Sequence, residues 1–398
     1  MAFSMGAASA LLAGCGGGGG TPLNPSSAQQ PAMRRHASAL FSIVHNFAGG
    51  SDGVNPQAGL TKLKGVLYGT TGGGGASSRG TVFAIPAFRP EATLYSFVGY
   101  PSDGSDPAAR LVNVNGTLYG TTVIGGANAL GTTFSITPSG AETVLHSFAG
   151  YPSDGSRPSG LIKVKGTLYG TTAEGGANND GTVFSFTPSP SGAVTTLYSF
   201  AGGSDGATPK AGLVNLKGTF YGTTFSGGTN CGSSGGCGTV FAITPAGAES
   251  VLHSFGAAGD GSRPVASLIA VNGAVFGTTY LGGENCGTRG GCGIVFSVTP
   301  AGAETVIHSF SGEDGANPSA ALISVKGTLY GTTASGGGNA DGTVFAIPPF
   351  RSETVLHAFS GSDGSDPQAA LLNVNGTLYG TTQNGGAHGD GTVFSLTP

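Results

Sequence analysis

Three residue types recur at fixed places in this chain and could do chemistry: cysteine, histidine and aspartate. Besides Cys15, the cysteines form two matched pairs, Cys231 with Cys237 and Cys286 with Cys292, each spaced by five residues. Both pairs bracket Gly and Ser or Thr in the same loop of successive repeats. That reads as two local disulfides, each closing one loop, and so as an oxidising compartment. A four-cysteine zinc site across neighbouring repeats is the alternative, but zinc-binding cysteines usually sit closer together. His45, His146, His253, His308 and His357 hold one repeated position, which Tyr95 and Tyr198 fill in two further copies. A place open to either ring wants a flat side chain with a polar tip, so packing is expected there rather than ligation. His36 and His388 carry no motif. Asp-Gly precedes a proline in every copy, at Asp52, Asp103, Asp154, Asp205, Asp260, Asp314 and Asp363. Aspartate can hold such a turn through backbone hydrogen bonds, and glycine supplies positive φ. A calcium loop would need several alternating oxygen ligands, and only Asp106, Glu313 and Asp366 add a nearby carboxylate. Neither a metal nor a cofactor is expected.

Catalysis needs a few unlike residues converging on one point. No Ser-His-acid set lies outside the repeated positions, and no glycine-rich phosphate loop enters a helix. This symmetry argues against an active site, although loops of different copies could still combine in a central channel.

The elements that must position these residues repeat about every 50 residues. Tyr-Gly-Thr-Thr begins at Tyr68, Tyr119, Tyr169, Tyr221, Tyr330 and Tyr379, with Phe276 in a seventh copy. A Gly-Thr-Val-Phe variant follows each, ending at Phe83, Phe134, Phe184, Phe241, Phe296, Phe345 and Phe394. One unit reads as four strands: 111–114, an Asn115-Gly116 turn of the tight hairpin type, 117–122, a glycine-rich loop, 131–137 and 142–148. Both faces of these strands are apolar or small, as radial stacking of copies requires. Gly120 and its counterparts are expected to let the adjacent blade approach closely.

The repeats begin with a fourth-type strand, 41–47, and end with a third-type strand, 391–398. A full set of strands exists only if the N-terminal one completes the last unit. The expected fold is therefore all-β, a seven-bladed β-propeller of four-stranded blades over residues 38–398, closed without exposed edges. Strand alternation puts the second-to-third loops and the fourth-to-first loops on one face. Asn128, Asn178, Asn230, Asn285 and Asn339, with Asp180, Asp341 and Asp390, ring that face and form the candidate ligand surface. Turn capping is the alternative role for these asparagines.

Composition narrows the function. Of 398 residues, 76 are Gly and 22 Pro, but they fall in register with the strands and so read as turns. The net charge of −4 contains no basic block, which excludes a nucleic-acid footprint. No apolar run reaches the roughly 18 residues of a membrane-spanning helix.

Residues 1–15 are a short apolar stretch ending in Leu12-Ala13-Gly14-Cys15. The tetrapeptide resembles the lipobox of bacterial lipoproteins, which implies lipidation of Cys15. Residues 16–37 are rich in Gly, Pro, Ser and Gln and suit a flexible tether. No Lys or Arg precedes the apolar stretch, a departure from export signals. The repeat is similar to the kelch repeat in layout but lacks its outer-strand Trp. Its wording, Leu-Tyr-Gly-Thr-Thr-x-x-Gly-Gly, then Gly-Thr-Val-Phe and Val-Leu-His-Ser-Phe, resembles the bacterial tandem-repeat group called GloVer over about residues 38–398. That resemblance implies an exported, anchored repeat protein of the bacterial cell envelope and no particular reaction. The expectation is a binding or scaffold module for a glycan or surface protein, touching the membrane only through its lipid anchor. An exported propeller enzyme acting on polysaccharide is the alternative.

Overall fold

The computed structural model describes residues 39–398 apart from 88, 189–192, 231–235, 285 and 287–290. Cys15, the lipobox and the tether lie outside these residues, as do Cys231 and Asn285. Seven four-stranded antiparallel sheets follow one another along the chain. The second blade is typical: Val112–Val114, Thr117–Thr122, Thr132–Ile136 and Glu142–Ser147, from the inside outwards. Its first turn has Asn115 at φ 53° and Gly116 at φ 93°, the twist that suits a two-residue hairpin. Lys165 takes the same left-handed conformation, φ 48°, where the third blade lacks the asparagine.

Leu40–Asn46 pairs antiparallel with Thr392–Thr397, with Leu40 opposite Thr397 and Asn46 opposite Thr392. The seventh blade is thus completed by the first strand of the propeller, and the ring is closed. Backbone bonding continues past the strand, where Phe47 N–H donates to Gly391 at 3.0 Å.

The core is divided among the interfaces between blades. At the first of them Tyr68 and Val82 of one blade pack on Leu118, Phe134 and Ile136 of the next. The seam is built alike, with Leu67, Phe83 and Ile85 on one side and Val393, Leu372 and Tyr379 on the other. One phenylalanine after each outer strand crosses into the following blade. Phe47, Phe97, Phe148, Phe200, Phe255, Phe310 and Phe359 are all fully buried. Each meets a third-strand phenylalanine edge to face, as Phe148 meets Phe184 at 5.3 Å and 69°. Such pairs add about 0.5–1.5 kcal/mol beyond the burial of their area.

The repeated Tyr-Gly-Thr-Thr has a separate reason at each position. A Cβ on Gly120 would stand 2.6 Å from Cζ of Phe134 and 2.8 Å from Cδ2 of Leu111. Both belong to the same blade, so the close approach that needs glycine lies within a blade and not between blades, contrary to the sequence expectation. The first threonine ties its blade to the next: Thr121 Oγ1 donates to the Ser159 carbonyl at 2.9 Å. The second clamps the glycine-rich loop, Thr122 Oγ1 lying 2.8 Å from Thr132 Oγ1 and donating to Ile124 O at 2.9 Å.

Candidate functional site

Two repeated positions read separately in the sequence form one unit at the rim. Each outer strand pairs with the third strand through a register shift, for example between Thr133 and Phe134, and this bulge re-aims the residues after it. His146 Nε2 then lies 2.9 Å from Asp154 Oδ2, which also accepts the Ala149 N–H, while Oδ1 accepts the Gly155 N–H. His45–Asp52, His253–Asp260, His308–Asp314 and His357–Asp363 repeat the contact. Tyr95 and Tyr198 place a hydroxyl where the imidazole nitrogen would be, donating to Asp103 at 2.9 Å and Asp205 at 2.8 Å. The position accepts either ring because either delivers one donor to the aspartate. Around Asp154, burial opposes ionisation, but His146 and the backbone donors outweigh it and hold the carboxyl below its ordinary range.

A third residue joins from the next blade. Burial and then the Asp103 charge push Glu142 up to about 8, and burial with Asp52 pushes Glu91 up to about 8. Glu249 and Glu353 rise to about 7, burial being the first cause of each. Val194 occupies this place in the third blade, and Phe41 occupies it at the seam, stacked on His357 at 3.8 Å. His45–Asp52–Glu91, His253–Asp260–Glu304 and His308–Asp314–Glu353 bring one donor atom each within 4.8 Å. These are metal-ligand types, but their aspartates are already engaged by backbone N–H groups and imidazole.

The asparagines of the proposed ligand surface are turned onto the backbone. Asn128, Asn178 and Asn339 donate from Nδ2 to Phe148, Phe200 and Phe359 carbonyls at 3.0 Å, and Asn230 donates to Ser254 at 2.6 Å. Asp180, Asp341 and Asp390 accept the N–H of Thr208, Asp366 and Asn55 through their main-chain carbonyls. None of these residues lines the central cavity. Cys286 and Cys292 are joined by a disulfide, and Cys237 is disulfide-bonded as well.

The unlike residues converge elsewhere. The segment after each Asp-Gly runs from the rim to the innermost strand, and the residue before its proline is left-handed in every copy. Asn55, Asp106, Arg157, Thr208, Arg263, Asn317 and Asp366 have φ of 55–57°. Their backbone groups are spent between blades: Asp106 N–H donates to Arg79 O, and Asp106 O accepts from Val123 N–H. The main chain fixes the geometry, so the side chain is free to differ from copy to copy.

These segments frame a cavity of about 700 Å³ along the axis, whose lining includes Gln57, Arg110, Arg157, Lys210, Ser319 and Gln368. Arg110 is distinctive, because Gly59, Gly160, Gly212, Ser267, Ala321 and Ala370 hold its position in the other blades. Its Nε donates to Thr61 Oγ1 at 3.2 Å, and burial lowers its pKa. Lys210 Nζ lies 3.6 Å above the Phe225 ring, and the Arg263 guanidinium lies 5.6 Å from the same ring. Burial, then Arg263 and Arg157, lower the pKa of Lys210. Across the mouth, Gln368 Nε2 donates to Asp366 Oδ2 at 2.9 Å, and burial raises the pKa of Asp366. A motif search passes over these residues because they are where the copies differ. Comparing the copies position by position, from Asp-Gly to the inner strand, would have exposed them.

Fold and cavity together define a closed seven-bladed β-propeller whose axial cavity breaks the symmetry of its repeat. The family model described as the Gloeobacter/Verrucomicrobia repeat matches residues 33–233 and 225–398, and the chain belongs to that family. Among solved structures it is similar to a Bacteroides uniformis protein proposed to be a 6-phosphogluconolactonase. That match has 15% identity and a TM-score of 0.51, covering 80% of this chain and 89% of the other. A luciferin-regenerating enzyme matches at 12% identity, TM-score 0.42, covering 76% and 93%. A protein proposed to be a gluconolactonase matches at 13%, TM-score 0.42, covering 79% and 93%. At such identities the likeness concerns the fold. No curated protein matches the sequence.

Proposed function

We propose that this chain is an exported binding module of the bacterial cell envelope, anchored through lipidated Cys15, with the mouth of its axial channel as the ligand site. One observation carries the reading: the cavity of about 700 Å³ is lined by side chains that differ between otherwise repeated blades. A purely structural channel would have no reason to depart from the repeat, whereas a ligand without sevenfold symmetry needs such a departure. The cavity is also of the size that small-molecule sites have, roughly 300–1,000 Å³. The Cys286–Cys292 disulfide supports an oxidising location. Among the described residues the lining holds cations, amides and hydroxyls and no carboxylate or imidazole, a set better suited to holding a ligand than to moving protons.

A glycan and small-anion panel on the purified propeller tests the proposal. Saturable binding without turnover is the expected result, and release of product from a polysaccharide would replace the reading with that of an exported enzyme. Detergent-phase partitioning that is lost in Cys15→Ser tests the anchor.

A further inference from the structure

We propose that the channel mouth recognises an acidic sugar, a polyhydroxylated ligand bearing a carboxylate or sulfate, with Arg110 and Lys210 as the anion-binding residues. The inference rests on the binding-module reading and names the ligand class of that same site. Every charged side chain lining the cavity among the described residues is a cation: Arg110, Arg157 and Lys210. This is unexpected in a chain of net charge −4 with only 16 Lys and Arg in all. Arg157 has a partner in Glu174 at 3.3 Å, but both side chains are about half exposed, and such pairs are weak. Arg110 is bonded through Nε to a neutral hydroxyl, which leaves the terminal nitrogens of its fork for a planar anion.

Lys210 stands over Phe225 beside Arg263, three groups that present positive charge and an aromatic face together. The opposite wall supplies Gln57 and Ser319, neutral groups that both donate and accept, and Gln368, whose amide protons go to Asp366 and Gln383 and whose oxygen is left to accept. Cations on one side and amides and hydroxyls on the other match a ligand with an acid group and a ring of hydroxyls. Inorganic anions would use only the first wall and neutral glycans only the second.

The repeat itself supplies clean variants. Arg110→Gly installs the residue that the first, third and fourth blades already carry at that position, and Lys210→Gln installs that of the first and seventh. Both substitutions therefore leave the fold intact, which circular dichroism and melting check independently. Calorimetric titration with trigalacturonate, its methyl ester, a sulfated disaccharide and inorganic phosphate then decides. We expect the acid or sulfated sugar to bind, the ester to bind at least tenfold more weakly, and the double variant to lose at least tenfold. Affinity for the acid should fall as salt rises. Equal binding of acid and ester, phosphate binding as tightly as the sugars, or unchanged affinity in the double variant would overturn the assignment while leaving a binding module. Failure of every charged and neutral ligand to bind would overturn both.

Discussion

Replacing Phe47 by alanine should cost as much as the same change inside the ring. Phe47 follows the strand that enters the seventh blade from the other end of the chain, and it is fully buried. Its ring meets Phe83 at 5.2 Å and 68° and His45 at 4.7 Å and 90°, among Leu60, Leu67, Ile85 and Val393. Truncation of a packed phenylalanine costs about 3–5 kcal/mol. For a unit of this size melting cooperatively, that corresponds to a fall in Tm of about 5 °C. Phe148 is the internal reference, equally buried and 5.3 Å from Phe184. Guanidinium unfolding of Phe47→Ala and Phe148→Ala should give losses within about 1 kcal/mol of each other. A loss below about 1 kcal/mol for Phe47→Ala, with the full loss for Phe148→Ala, would mean the seam is not packed as an ordinary interface.

Other consequences follow from the same geometry. Gly120→Ala drives a methyl into Phe134 and Leu111 and should destabilise by about 1–3 kcal/mol by chemical denaturation. His146→Tyr should be close to neutral in melting, because Tyr95 and Tyr198 make the same bond, whereas Asp154→Ala strips three donors of their acceptor and should cost about 2–4 kcal/mol. Glu142 and Glu91 keep their protons up to about pH 8 when folded but release them near 4.5 when unfolded. The folded state therefore binds more protons across this window, so stability should decline as pH rises from about 4.5 to 8. In the Glu91→Gln, Glu142→Gln double variant that decline should flatten, and an unchanged pH profile would contradict the burial of these carboxyls.

Much of the fold was legible because a propeller writes its geometry into a period. Strand ends inferred for the second blade fall within a residue of those observed, and the odd strand types at 41–47 and 391–398 required the closure between Leu40–Asn46 and Thr392–Thr397. What stayed hidden depends on neighbours that a linear pattern does not join. The His–Asp pairing was missed because a loop of variable length separates the partners and a bulge just before the histidine sets its direction. The glutamates at Glu91 and Glu142 belong to the following blade and meet the pair only by radial stacking. Gly120 was given a correct need and the wrong neighbour, since the intrablade Phe134 ring folds over it. The candidate site was least legible. Asn128 and its counterparts repeat because they cap carbonyls, while Arg110 and Lys210 stand where the copies depart from the repeat.

In the proposed binding mode these departures, not the repeated motifs, hold the ligand. A crystal structure of the propeller with bound trigalacturonate tests it most directly. The expected result is a carboxylate within hydrogen-bond distance of the Arg110 guanidinium and the Lys210 ammonium, inside the axial cavity. Ligand density at the rim, against the His–Asp pairs or the asparagine-bearing loops, with the cavity filled only by solvent, would contradict it.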